Sequence, residues 1–174
     1  MPSPAAATTT GTPDPAGPDP RLLADAVALH EALSDLVRVY QFRDRDRICC
    51  HDVSVTQCYA LEALIRRGAC ALNEMASELY LDKSTASRVV AALERKGYVA
   101  RSPHASDGRS VSLQATAAGR RLYEKIRRDL VLEETRLLAD FEPAARVAAA
   151  KILARLARAA EARSGLTARS CAAR

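Results

Sequence analysis

The sequence predicts a mainly α-helical chain that carries one small β-hairpin. Across most of residues 21–162 the apolar side chains recur at three- and four-residue steps, the spacing of a single helix face. Only within residues 98–113 does the pattern change to alternation, the period of a strand, in two short runs around a loop containing Pro103, Asp107 and Gly108. Composition agrees: 48% of residues are hydrophobic but 4% are aromatic, and there is no Trp, so Ala, Leu and Val must build the core. Ala and Leu are strong helix formers.

Residues 1–20 are proline-rich, lack apolar periodicity and read as a disordered tail. Leu22, Leu23, Ala26, Val27, His30, Leu33, Leu36, Val37 and Tyr40 then mark an amphipathic helix of about 20 residues. It is expected to end in the charged run Arg43-Asp44-Arg45-Asp46-Arg47. Ile48 to Asp52 then serve as a connection, making 21–53 an N-terminal helical segment. Ser54 or Asp52 can cap a second helix over about 54–67, and Gly68 suits its stop. A short helix over about 73–79 and a turn at Tyr80-Leu81-Asp82 lead to a helix over about 83–96. Ala86, Val89, Val90 and Leu93 form the inner stripe of that helix, and Gly97 ends it.

Tyr98–Ser102 and Val111–Leu113 are the predicted strands, with Val99 set against Val111 and Leu113. Thr116 can cap a long helix to about residue 140, and Pro143 opens a last helix to about 162. The expected organisation is therefore a central domain over 54–115, C-terminal helices over 116–163 and a flexible tail over 164–174. Two helices joined by a three-residue turn and followed by a hairpin follow the plan of a winged helix-turn-helix, in which the second helix enters the major groove of DNA.

The formal net charge of +5 says little until it is divided along the chain. Residues 1–82 hold 7 basic and 12 acidic side chains, whereas residues 83–128 hold 11 basic and 3 acidic. The positive charge is concentrated from the second helix of the pair onward, as a phosphate-facing surface requires. No apolar run reaches the ~18 residues of a membrane span, and no basic segment followed by an apolar run marks a secretory leader. A cytoplasmic protein is expected.

On the 83–96 helix, Ser84, Arg88, Ala91 and Arg95 lie opposite the apolar stripe, and Lys83, Thr85 and Ser87 flank the first turn. Short hydroxyl side chains let the backbone approach a groove, and Arg88 can reach a guanine edge or a phosphate. Arg109, near the tip of the hairpin loop, suits a narrow minor groove. Asp107 is anionic and cannot bind DNA directly; it can orient Arg109, or Arg101 at the loop base.

Residues 81–119, LDKSTASRVVAALERKGYVARSPHASDGRSVSLQATAAG, resemble the multiple-antibiotic-resistance regulator (MarR) family. The carrying features are Ser84-Thr85-x-Ser87-Arg88, Leu93-Glu94-x-Lys96-Gly97, Arg101, Asp107-x-Arg109 and Thr116-x-x-Gly119. Val55–Leu61 is similar to the family's second helix, and the resemblance extends over roughly residues 21–162. It implies a homodimer with first and last helices interleaved, bound to a pseudo-palindromic operator in double-stranded DNA and released by a ligand or by thiol oxidation. By position it assigns DNA contacts to Lys83, Ser84, Thr85, Ser87, Arg88 and Arg109. Two positions depart from the family pattern: Tyr80 stands where Gly is common in the turn, and Ala115 stands where Leu is common.

Five cysteines, Cys49, Cys50, Cys58, Cys70 and Cys171, make an odd count that argues against a disulfide framework. The run Cys49-Cys50-His51, with Cys58 eight residues beyond Cys50, is similar to a Cys-Cys branch of the family, at a junction that borders the family's usual effector pocket. Three readings stand. The thiols, with His51, bind a thiophilic ion such as arsenite, Cu(I) or Zn(II), or react with an oxidant, Arg45 and Arg47 favouring the thiolate. Alternatively they are buried and inert, or the pocket takes a small organic ligand and they are incidental. Cys70, in an apolar stretch, reads as packing. A small thiol-dependent redox enzyme using Cys50 or Cys58 is the rival from another class. It lacks a Cys-x-x-Cys motif, a Gly-rich phosphate loop and an ordered Ser-His-Asp set, so no enzymatic activity is expected.

Overall fold

The computed structural model describes residue 17 and residues 19–103 and 111–164. These residues form two compact units, one ending at Gln41 and the other beginning at Phe42. In chain order the elements are α1 (Pro20–Cys49), α2 (Val55–Arg67), β1 (Cys70–Ala71), α3 (Leu72–Glu78), α4 (Lys83–Arg95), β2 (Val99–Pro103), β3 (Val111–Ala115), α5 (Ala117–Leu137) and α6 (Pro143–Ser164). The strands form an antiparallel sheet in the order β1-β3-β2. The mainly α class with a small β wing is as predicted.

Helix starts follow the side chains that cap them. Ser54 Oγ accepts from Gln57 N–H at 3.2 Å while Gln57 Oε1 accepts from Ser54 N–H at 3.2 Å, a reciprocal capping box on α2. Asp82 caps α4, and Thr116 Oγ1 caps α5 by accepting from Gly119 N–H at 3.1 Å. The ends of α3 and α4 share one geometry. After α3, Tyr80 N–H reaches Ser77 O and Leu81 N–H reaches Ala76 O; after α4, Gly97 N–H reaches Glu94 O and Tyr98 N–H reaches Leu93 O. Both are Schellman turns, which need a left-handed residue at their centre. Gly97 supplies it at φ +73°, and Tyr80 adopts φ +54°.

Three expectations are corrected. The first helix is 30 residues long rather than about 20, because the charged run continues it through Cys49. That run is held against α5: Arg43 pairs with Glu134 and Arg47 with Glu133, each at 2.9 Å. The hairpin register sets Val99 opposite Ala115, and Val111 opposite Pro103. Leu113 faces Arg101 and, on its other side, Cys70 of β1, a strand the sequence pattern did not predict. Two residues are too few to display alternation.

The core lies in the unit that begins at Phe42. Leu61 and Leu64 of α2, Met75 of α3, Val90 and Leu93 of α4, Leu113 of β3 and Ile126 of α5 are fully buried. Each such side chain contributes about 1.5–3 kcal/mol through removal from water. Outside this core, α1 leaves Leu22, Leu23, Val27 and Val37 exposed, and α6 leaves Val147, Ile152 and Leu153 exposed. Among the described residues no helix is long and apolar enough to cross a membrane.

Gly119 fixes how α5 leaves the sheet. A Cβ there would lie 2.2 Å from the Tyr98 carbonyl oxygen, which itself accepts from Thr116 N–H at 3.0 Å. Gly119→Ala is therefore expected to destabilise the protein by about 1–3 kcal/mol, the usual cost of overpacking. Leu61→Ala should cost about 2–5 kcal/mol by leaving a cavity. Urea unfolding monitored by circular dichroism measures both; an unchanged midpoint for Gly119→Ala would contradict the close approach.

Candidate nucleic-acid interface

The first turn of α4 is organised by one carboxylate. Asp82 Oδ1 accepts from Thr85 N–H at 2.9 Å and from Ser84 Oγ at 2.6 Å, and Asp82 Oδ2 accepts from Thr85 Oγ1 at 2.7 Å. Arg88 Nη2 in turn donates to Thr85 Oγ1 at 3.1 Å. The hydroxyls of Ser84 and Thr85, with Thr85 N–H, hold the Asp82 carboxyl well below the usual carboxylate range. Its negative charge faces the positive end of the helix dipole and already carries three donors. An anion is thus accommodated beside a surface meant for phosphates.

Ala86, Val90 and Leu93 are buried and Val89 half-buried, so the inner stripe seats α4 on the core. Lys83, Ser84, Arg88 and Arg95 are exposed on the outside, with Thr85 and Ser87 half-buried at the edge of the first turn. Arg101 Nε in β2 donates to Glu94 Oε2 in α4 at 2.9 Å, which ties the base of the wing to the end of the helix. Asp107 and Arg109, named from the sequence as wing residues, lie outside the described residues.

The cysteines do not gather. Cys58 is buried on α2, beside Leu61 and Leu64, whereas Cys49 and Cys50 are exposed at the end of α1. Burial pushes the Cys58 thiol up from its ordinary 9.0 to about 12, with Glu62 and Asp44 adding to the effect. A protonated, enclosed thiol is neither a nucleophile nor a metal ligand, which removes Cys58 from the predicted effector set. His51 instead faces Asp129, with Nε2 to Oδ2 at 3.4 Å. Among the described residues, no group of three or more His, Cys, Asp and Glu side chains can hold a metal ion. Arg45 pairs with Asp46 and Arg47 with Glu133, and neither is paired with a thiol. Cys70 is buried in β1, as its apolar surroundings predicted.

The turn that follows Cys50 reaches the far end of α4. Asp52, at φ +60°, returns its N–H to Cys49 O at 3.2 Å. Lys96, the C-cap of α4, donates through Nζ to the Asp52 carbonyl and lies 3.3 Å from Asp52 Oδ1.

A MarR family profile matches residues 51–110 of the chain. An uncharacterized HTH-type transcriptional regulator of Mycobacterium leprae is 33% identical over 110 residues, covering 63% of this chain and 72% of that protein. The chain belongs to the MarR family. An HTH-type transcriptional regulator of Mycobacterium tuberculosis matches at the same identity and coverage, 33% over 110 residues. A MarR family protein from Bacillus stearothermophilus superposes with a TM-score of 0.72 at 22% identity, over 82% of this chain and 97% of the other. A Staphylococcus aureus MepR mutant, solved bound to an oligodeoxyribonucleotide, superposes with a TM-score of 0.56 at 18% identity, over 75% and 96% of the two chains. At these identities the solved structures attest the fold.

As a MarR-type DNA-binding transcription regulator, the protein carries its recognition helix in α4. Sequence reasoning had placed the outward residues of that helix but not Asp82, which it treated only as part of a turn. The signal was present: an Asp with Thr three residues later, before an apolar stripe, is an N-cap pattern. Glu94 and the Asp52–Lys96 link join residues far apart in sequence and left no local pattern.

The buried Cys58 thiol has a consequence for stability. Because its folded pKa is raised, the unfolded chain loses the proton first, and the stabilisation is present below about pH 9 and is lost as pH approaches about 12. Tyr59 and Tyr123, raised mainly by burial, act in the same direction. The urea midpoint should be flat at neutral pH and fall above about pH 9, and Cys58→Ala should flatten part of the fall. An identical profile for the variant would contradict the assignment.

Proposed function

We propose that the protein is a homodimeric repressor. It lays α4 of each protomer in successive major grooves of a pseudo-palindromic operator. The observation that carries this reading is the outer face of α4, where Asp82 and Thr85 hold Ser84 and Arg88 in place before any DNA arrives. Preordered side chains lose less conformational freedom on binding. The exposed apolar side chains of α1 and α6 support the dimer, because a monomer would leave Leu22, Val27, Ile152 and Leu153 in water. The concentration of basic residues from α4 onward supports nucleic acid as the partner.

The effector half of the proposal rests on Cys49 and Cys50. Both are exposed, and Cys50 Sγ donates to Asp46 O at 3.1 Å. Two neighbouring thiols suit arsenite or Cu(I), which accept few sulfur ligands, better than Zn(II), which takes four. With arsenite, each As–S bond replaces an As–OH bond, and the thiol proton leaves with the hydroxyl as water. Ligation would distort the turn through Cys49 O and Asp52, and Asp52 is held by Lys96 at the end of α4. A displaced Lys96 would shift the recognition helix and release DNA.

Arg88→Ala should weaken binding to a fragment upstream of the protein's own gene by about ten- to a hundredfold in gel shift, corresponding to ~1–3 kcal/mol for a good base contact. Affinity should also fall steeply with salt. Unchanged affinity would contradict the placement of α4. Cys49→Ser with Cys50→Ser should leave DNA binding intact and abolish release by arsenite or Cu(I). A wild-type complex indifferent to both ions would overturn the thiol effector.

A further inference from the structure

A second feature bears on α4 from its opposite end. Between α2 and the turn that joins α3 to α4 lies an open cleft of about 360 Å³. Tyr59, Glu62 and Arg66 of α2 line one side, and Glu78, Leu79 and Tyr80 the other. The volume is that of a small-molecule site, which spans ~300–1,000 Å³.

The charges of the cleft are unequal. Glu78 is neutralised by Arg66 and by Arg67, whose Nη1 lies 2.8 Å from Glu78 Oε2. Glu62 is half-buried and accepts from the hydroxyl of Tyr123. Among the described residues Glu62 has no ion-pair partner. The negative charge of Glu62 is therefore the one left to meet a ligand, in a chain whose net charge is +5. Beside it, Tyr59 and Tyr80 each leave about half their surface in solvent, at 47% and 50%. A carboxylate with aromatic side chains around it is the arrangement that recognises an organic cation.

Tyr80 gives the cleft its connection to DNA. It holds a left-handed conformation that Gly adopts without steric cost and other residues adopt at about 1–2 kcal/mol. A bulky residue kept in such a place points to a use for its side chain. Its hydroxyl donates to Glu161 Oε1 of α6 at 3.3 Å. Two residues later comes Asp82, the carboxylate that orders Ser84, Thr85 and Arg88.

We propose that this cleft binds a lipophilic organic cation, a quaternary ammonium or phosphonium carrying aromatic groups, against Glu62, Tyr59 and Tyr80, and that binding lowers DNA affinity. Closure of Tyr80 on the cation draws the α3–α4 turn inward and displaces Asp82 from the first turn of the recognition helix. Linkage makes the effect reciprocal: bound DNA weakens the cation to the same degree. The coupling rests on α4 being the DNA-reading helix; the cation site itself does not.

Calorimetry of the full chain with tetraphenylphosphonium, in the absence of DNA, tests the site. One cation per protomer is expected. Glu62→Gln, which keeps the partner of Tyr123, should weaken binding at least tenfold, equivalent to ~1.4 kcal/mol. Tyr80→Gly, which keeps the left-handed turn, should weaken it as well. Neutral triphenylphosphine oxide should bind far less tightly. Absence of binding, equal binding of the neutral compound, or indifference to both substitutions would overturn the site. In gel shift, saturating cation should reduce operator affinity for the wild type and not for Tyr80→Gly. A cation that binds without changing that affinity would overturn the coupling and leave the DNA-reading assignment standing.

Discussion

The seating of α4 on the core through Ala86, Val90 and Leu93 is the constraint on which the rest of the structure depends. These side chains meet the core that also holds Leu61, Leu64 and Met75, and their burial fixes the rotation of the helix about its axis. Once that rotation is set, Ser84, Arg88 and Arg95 have one direction in which to point, which is outward. A one-residue slip would turn Arg88 through about 100° and place it against apolar side chains, where an unpaired charge costs several kcal/mol. The DNA-facing surface is thus a consequence of apolar packing on the other side of the same helix.

Both ends of the helix are then held by polar contacts from other parts of the chain. At the start, the turn through Tyr80 delivers Asp82, which engages the free N–H groups of the first turn and the hydroxyls beside them. At the end, Gly97 lets the chain reverse into β2, Lys96 reaches Asp52, and Glu94 holds Arg101 at the base of the wing. Regulation of such a helix needs a small displacement at either end, and the molecule offers one candidate input at each. The vicinal thiols act through Asp52 and Lys96, and the cleft acts through Tyr80 and Asp82.

Much of this was legible in the amino-acid sequence, and the illegible part has physical causes. The stripes of α2 and α4 were plain because a period near four residues persists over three turns. Tyr80 stood out because the resemblance placed it where Gly is common, and it takes the positive φ that the position demands. The extension of α1 was hidden because Arg43 and Arg47 read as a solvated end until α5 supplies Glu134 and Glu133. The pairing of Val99 with Ala115 escaped because alternation fixes which face a residue takes, not its partner across the ladder. Cys58 could have been read correctly: it precedes Leu61 by three residues and belongs to the same buried stripe, a position that argues for an inert thiol.

Dimethyl sulfate footprinting of the operator tests the central claim most directly, because it reports guanine N7 in the major groove. If α4 reads the major groove from a two-fold dimer, the wild type should protect guanines in two blocks about 10 base pairs apart or a multiple of that. Arg88→Ala should lose protection at the same position in both blocks. Protection confined to a single block, or a pattern unchanged by Arg88→Ala, would contradict the account.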